Sequence, residues 1–264
     1  MSRSLMPFTP SKPSPARVLS RAAALSTPEA RWRPGLADHP FHSEIFASAS
    51  EASGVGLALA LARDALTSNA ADEAIEDTRQ VLWVQDRAAI RLGGRPCLAG
   101  LSPDLRRHLI HVAAATPEDA LFALEEGLKC RDLACVIGEI AGNPRALSFT
   151  ASRRLSLTAE RHGVRLWLVR LDAERDLSSA RMRWQVRAAP SPLPRWNPAA
   201  PGTASWHAEL FRARAHAPGE WMLCDDTGTL RLRSDPDTDV AAAPDPVHLA
   251  RPTVGRSLAA RARA

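Results

Sequence analysis

Tyrosine is absent from this 264-residue chain, phenylalanine occurs six times, and lysine occurs only at Lys12 and Lys129. So few aromatic rings leave little platform for stacking nucleobases. The positive charge rests almost wholly on arginine, a bias consistent with GC-rich coding. The net charge of +5 permits contact with nucleic acid without establishing it. The four cysteines, Cys97, Cys130, Cys135 and Cys224, form no Cys-x-x-Cys pair, and no His/Cys cluster has zinc spacing. That excludes a zinc module and a disulfide framework and fits a reducing cytoplasm. Cys130 and Cys135 sit in apolar contexts and read as core thiols. His108 and His111 are a weak candidate metal pair, because the overlapping "LIHVAAA" reads as a strand; no metal or other cofactor is expected. No apolar run approaches the ~20 residues of a membrane span. The opening "MSRSLMPFTPSKPSPARVLSRAAAL" lacks an apolar signal core and is free of acid until Glu29. It superficially resembles a transit peptide and reads as a flexible basic arm over 1–40.

The body, 41–233, is organised by alternation. Short apolar runs predict strands at 43–48, 80–85, 109–114, 133–140 and 164–170. Helical spacing predicts helices over 54–67, 117–130 and 150–162. "TPEDALFALEEGLKC" carries its own start signal: Thr116 as N-cap, Pro117 at N1, and Glu118 and Asp119 at the positive end of the dipole. Gly163 closes the last helix as a C′ residue. "LACVIGEI" is continuously apolar, as in the middle of a parallel sheet. "TSNAADEAIEDT" reads as a polar connection, and "RLGGRPCLAGLSPDL" reads mostly as loop. This order predicts an α/β fold with a mostly parallel sheet flanked by helices. Beyond "LDAERDLSSA" the period changes to two. "RMRWQVRAA", "SWHAELFRARA" and "EWMLCDDTGTLRLRS" predict an antiparallel β-extension, interrupted by the Pro-rich loop "PSPLPRWNPAAPG". Residues 234–264 read as a flexible basic tail. In it Val254, Leu258 and Ala262 form one helical stripe beside Arg251, Arg256, Arg261 and Arg263. That pattern suits a segment that folds on a partner.

"ASEASGVG", 49–56, joins the first strand to the first helix, which is the setting of a phosphate-binding P-loop. A working loop reads G-x-x-x-x-G-K-[ST]: backbone N–H groups wrap the phosphates, the lysine neutralises their charge and the hydroxyl holds Mg²⁺. Here the first glycine is Ala49, the second is Gly54, the lysine is Val55 and the hydroxyl residue is Gly56. Only Gly54 survives; Glu51 and Ser53 lie between. Two readings stand: a tight turn into a buried helix, or weak nucleotide binding without hydrolysis.

The stretch "SEASG" is similar to the "PESSG" of bacterial recombinase loops. "VLWVQDRAA" resembles the strand and turn that follow in RecA. "LIHVAAATPEDALFALEEGLKCRDLACVIGEI" resembles the RecA stretch that runs through a helix into the Walker B strand. With "FTASRRLSLTAERHGVRLWLVR", "RMRWQVRAAPS" and "WHAELFRARAHAPGEWML", the order resembles that of the ImuA family, RecA-like accessory proteins of bacterial SOS mutagenesis. The resemblance covers about 40 to 233 and implies a degenerate RecA-like domain. It further implies a non-catalytic role in damage-induced translesion synthesis. The implied partners are an ImuB-like polymerase homologue, RecA and an error-prone replicative-type polymerase; the tail from His248 would be a docking arm, and contact with DNA could be indirect. The chain departs from the recombinase pattern where Walker B needs its acid. Gly138 occupies that position and Glu139 follows, so alternation would let Glu139 serve only if the strand bends. Asp86 is the closest acid to the recombinases' catalytic glutamate, though an acid at a strand end is more often a turn or cap residue. "LDAERDLSSA" is short beside a DNA-gripping loop. The alternatives are a RecA-class ATP-binding protein with weak ATPase activity and a SulA-like inhibitor of cell division.

Overall fold

The computed structural model describes residues 40–73, 78–194, 196–197, 199–226 and 229–232. The expected tail, 234–264, and the expected N-terminal arm apart from Pro40 lie outside them. Contacts divide the chain into units Met1–Arg233 and Ser234–Ala264, and the second is wholly outside the described residues.

In chain order the elements are β1 (His42–Ala47), α1 (Ser53–Glu73), β2 (Gln80–Gln85), α2 (Arg87–Gly93), α3 (Pro103–His108), β3 (Leu109–Ala113), α4 (Pro117–Lys129), β4 (Leu133–Ala141), α5 (Phe149–His162), β5 (Arg165–Leu171), β6 (Met182–Ala188), β7 (Ser205–Ala213), β8 (Gly219–Asp226) and β9 (Thr229–Leu232). One nine-stranded sheet runs β3-β2-β4-β5-β1-β6-β7-β8-β9. The first six strands in that order pair in parallel, and β7, β8 and β9 continue antiparallel. The fold is therefore α/β, with a mostly parallel sheet flanked by helices and an antiparallel end. In the common doubly wound nucleotide folds β1 lies beside β2; here β5 and β4 stand between them.

Strand alternation divides the core in two. On one face Ile45, Trp83, Ile137, Trp167 and Val169 pack with α1, α2 and α3. On the other, Leu82, Val136, Ile140, Leu166 and Leu168 pack with Leu121, Leu124 and Leu128 of α4 and Leu155 of α5. Each such leucine withdrawn from water contributes ~1.5–3 kcal/mol before entropy is counted. Over 53–66, α1 is apolar on nearly every side because it is enclosed, with no residue there exposed. The sheet lies on one side, and Trp206, Leu223 and Leu230 of the antiparallel strands pack on it from another. The Asp64 carboxylate accepts from Leu230 N at 3.3 Å and ties α1 to β9.

Several expectations hold in detail. Thr116 caps α4 by accepting from Asp119 N, and Gly163 closes α5 at φ 71°. Others need correction. β6 joins the two parts of the sheet rather than lying wholly in the antiparallel extension: it pairs antiparallel with β7, as expected, but in parallel with β1, because the segment after β5 crosses over β1 before the chain re-enters the sheet. The stretch read mostly as loop is loop from Gly94 to Ser102 apart from a 3-10 turn at Leu98–Gly100, but the end of α2 and the start of α3 intrude on its two ends. Asp86 caps α2, accepting from Ala89 N at 2.6 Å, and Pro103 opens α3. The polar connection "TSNAADEAIEDT" begins as a continuation of α1, which runs to Glu73. Cys135 is buried but Cys130 is exposed, since it caps α4 where the chain turns outward. His108 ends α3 and binds Arg79 O, whereas His111 lies on β3. The described residues contain no group of His, Cys, Asp or Glu arranged for a metal, and none of their helices is long and apolar enough to cross a membrane.

Candidate functional site

The loop between β1 and α1 faces the carboxyl ends of the parallel strands, the customary ligand side of such sheets. Its surviving glycine serves packing. A Cβ on Gly54 would meet Ala47 Cβ at 2.7 Å and Val169 Cγ1 at 3.0 Å, so Gly54 lets α1 approach β1 and β5 closely. Gly56, at the hydroxyl position, lies under Trp206, whose indole nitrogen would stand 3.2 Å from a Cβ there. Ser53 Oγ is buried with no hydrogen-bond partner among the described residues. Gly54→Ala is expected to destabilise the fold by about 1–3 kcal/mol through overpacking, read as a lower urea midpoint at unchanged slope. A neutral result would mean that α1 shifts freely away from the sheet.

The donors of the loop's first half, Ser48 to Glu51, are turned onto its own chain. Asp172, just past β5, accepts from Ala49 N at 3.0 Å and from Ser48 Oγ at 3.3 Å. Ser50 N donates to Ser48 Oγ, and Glu51 N to Ser48 O. Glu51 itself accepts from Ala188 N at 2.6 Å. Asp172 holds φ 47°, unusual outside glycine. A carboxylate thus takes the N–H group at the first-glycine position, where a P-loop would present donors to phosphate. A second anion placed ~4 Å away would be repelled by about 1 kcal/mol in bulk water and about 4 kcal/mol at an effective dielectric of ~20.

Beside the loop lies a cleft of about 330 Å³, lined among others by Ala49, Glu51, Val55, Trp83, Arg95 and Glu139. Glu139 is 3% exposed. Its Oε2 accepts from Trp83 Nε1 at 3.1 Å and from Gln85 Nε2 at 2.9 Å. Burial pushes its carboxyl pKa up; the two hydrogen bonds oppose the rise, and nearby Asp86 adds to it. Gln85 Oε1 pairs in turn with His111 Nε2 at 2.9 Å, and the His111 ring stands edge-on to Trp83. Burial, then Arg95, lower the His111 pKa, which favours the neutral ring.

Glu139 reaches the loop's face with no bend in the strand, which corrects the expectation that only a bend could aim it there. Plain alternation puts Glu139 on the loop's face and Gly138 on the other, where a Cβ would meet Leu168 Cδ1 at 2.8 Å and Leu124 Cδ1 at 3.0 Å. Gly138 is therefore a packing position. Asp86 is 1% exposed and engaged as the cap of α2; burial raises its pKa. Of the residues singled out in the sequence, Ala49, Glu51, Val55 and Glu139 meet in the cleft, while Gly54 and Gly56 pack behind it. Arg251, Arg256, Leu258, Arg261 and Arg263 lie outside the described residues. Sequence reasoning missed Asp172, Trp83 and Gln85, and weighed His111 only as a metal ligand. Asp172 lies in "LDAERDLSSA", Trp83 and Gln85 in "VLWVQDRAA" and His111 in "LIHVAAA", but nothing in their spacing marks a shared role. The chain matches no family model and none of the curated proteins.

Proposed function

We propose that this protein is a non-catalytic, RecA-like accessory protein of damage-induced translesion synthesis, an adaptor for an ImuB-type polymerase homologue and for RecA, with an error-prone replicative-type polymerase as a further partner. The observation that carries the non-catalytic part is Asp172 on the loop N–H group of Ala49, with Val55 and Gly56 in place of the lysine and the hydroxyl. Phosphoryl transfer depends on preorganised positive charge, and this loop offers a carboxylate instead. The RecA-like part is supported by the order of the sequence motifs along the parallel strands and by a strand-loop-helix unit at the carboxyl edge of the sheet.

A second reading, weak nucleotide binding, is favoured by one observation: the cleft beside the loop keeps a buried acid, Glu139, on the loop's own face. Two measurements on the full-length purified chain decide between them. Co-purification with the ImuB-type protein and with RecA is expected, and the division GTPase serves as the control that a SulA-like inhibitor would capture. With Mg-ATP no turnover above buffer is expected. Val55→Lys alone should not restore turnover, because Asp172 stays in place. Steady ATP hydrolysis that is lost in Glu139→Gln would overturn the adaptor reading in favour of an ATPase.

A further inference from the structure

A groove of about 410 Å³ opens on the sheet face opposite the loop cleft, between α5, the segment 178–181 that leads into β6, and the end of β7. Its lining carries four arginines, Arg153, Arg181, Arg212 and Arg214, against one carboxylate, Glu160. Glu160 is already engaged by Arg181 at 2.7 Å. Arg153, Arg212 and Arg214 are exposed and have no carboxylate partner among the described residues. Phe149, Arg153 and Leu157 follow at i, i+4 and i+8 along α5, so they share one side of the helix. Phe149 is 48% and Leu157 55% exposed, large apolar side chains bracketing an unpaired guanidinium.

We propose that this groove docks an acidic, amphipathic segment of a partner protein. Its apolar side chains would lie between Phe149 and Leu157, and its carboxylates on Arg153, Arg212 and Arg214. Charge complementarity selects the occupant's sign. Guanidinium groups pair with carboxylates through parallel, charge-assisted hydrogen bonds, and an amphipathic helix lays its apolar face into such a groove. Nucleic acid shares the sign but is the poorer fit. Single strands are held by successive aromatic platforms, and Phe149 is the groove's single aromatic ring. The proposal stands apart from the translesion reading, since it uses no residue of the loop cleft.

The probe is a short fluorescein-labelled peptide of glutamate and leucine, patterned so that the two types occupy opposite faces of a helix. Fluorescence anisotropy with the full-length protein should show saturable binding that weakens as salt rises. Arg212→Glu with Arg214→Glu, and separately Arg153→Glu, should each weaken it by about tenfold or more. Leu157→Asp should weaken it too. Arg161→Glu, exposed on α5 outside the groove, should not. Unchanged melting temperatures show that the variants fold, and Arg153→Glu, on an exposed helix surface, guards against failure of the strand variant. No saturable binding, or equal binding by the reversal variants, overturns the proposal. Tighter binding of an oligo-dT strand that is lost in the same variants overturns it in favour of nucleic acid.

Discussion

Glu44→Ala is expected to destabilise the fold by about 3–5 kcal/mol, because it leaves two guanidinium groups buried without their counter-charge. Glu44 lies in β1, fully buried, on the face opposite α1. Its Oε2 accepts from Arg183 Nε at 2.7 Å; its Oε1 accepts from Ser178 Oγ at 2.7 Å and stands 3.8 Å from Arg170 Nη1. Both arginines are 3% exposed. They sit near the Phe46 ring, and Arg183 also near Phe211. Satisfaction is incomplete: Arg170 Nε and Arg183 Nη2 are buried without partners among the described residues. Burial lowers the Arg170 pKa, a sign that the charge is held at a cost. The check is a urea titration, in which the midpoint falls and the slope stays constant. A loss below about 1 kcal/mol would mean that the arginines swing out to water once released. The companion variant, Glu44→Leu with Arg170→Met and Arg183→Met, should recover most of the loss, since a well-packed apolar replacement of a buried ion group is often neutral or stabilising.

This ion group bears on the loop cleft through the chain that covers it. The segment 172–181 crosses β1 from β5 to β6 and is fastened along its length. Ser178 holds Glu44, and Ser179 bonds Ser152 and Ser156. Asn143 takes Glu174 N and donates to Glu174 O and to the Asp176 carboxylate. The Arg175 guanidinium lies 3.8 Å from the centre of the Phe211 ring. Asp172 begins that segment, so the fastenings also fix the carboxylate that occupies the loop's N–H group.

What was legible in the sequence follows from what is local. The apolar runs of β2, β4 and β5, the Thr116 cap and the Gly163 stop are each decided within a few residues, and the structure keeps them. Features decided by distant chain were not legible. The direction of β6 depends on a crossover rather than on its own alternation. Glu139 is placed on the wrong face by the motif alignment, which is one residue off, and "LACVIGEI", apolar apart from Glu139 itself and buried on both faces, carries no period of two to correct it. Glu44 sits in "HSEIFA", where each face mixes polar and apolar residues; nothing nearby says that Arg170 and Arg183 will bury its carboxylate. Asp172 lies 123 residues from its partner Ala49, beyond any local pattern.

Acid should weaken the fold through His42, and the sign follows from burial. His42 opens β1 at 1% exposure. Its Nδ1 shares a 2.7 Å hydrogen bond with Ser156 Oγ, while Nε2 is buried without a partner among the described residues. Burial lowers its pKa to about 4; Glu44 opposes that, Arg183 adds to it and Glu160 opposes it. The unfolded chain takes up the proton near pH ~6.5, well before the folded one. Stability is therefore full above that value and is lost as pH falls from about 6.5 to about 4. At ~1.36 kcal/mol per unit, the loss reaches about 3 kcal/mol. Glu139, Asp64 and Asp86 work in the opposite direction. Burial raises their folded pKa values, so each adds stability as pH falls from its raised value towards the ordinary carboxylate range. Urea midpoints measured across that interval in wild type and His42→Gln separate the two contributions. The variant should lose the acid-side decline or reverse it, whatever its stability at neutral pH. Parallel curves for the two proteins would mean that His42 is not held neutral inside the fold.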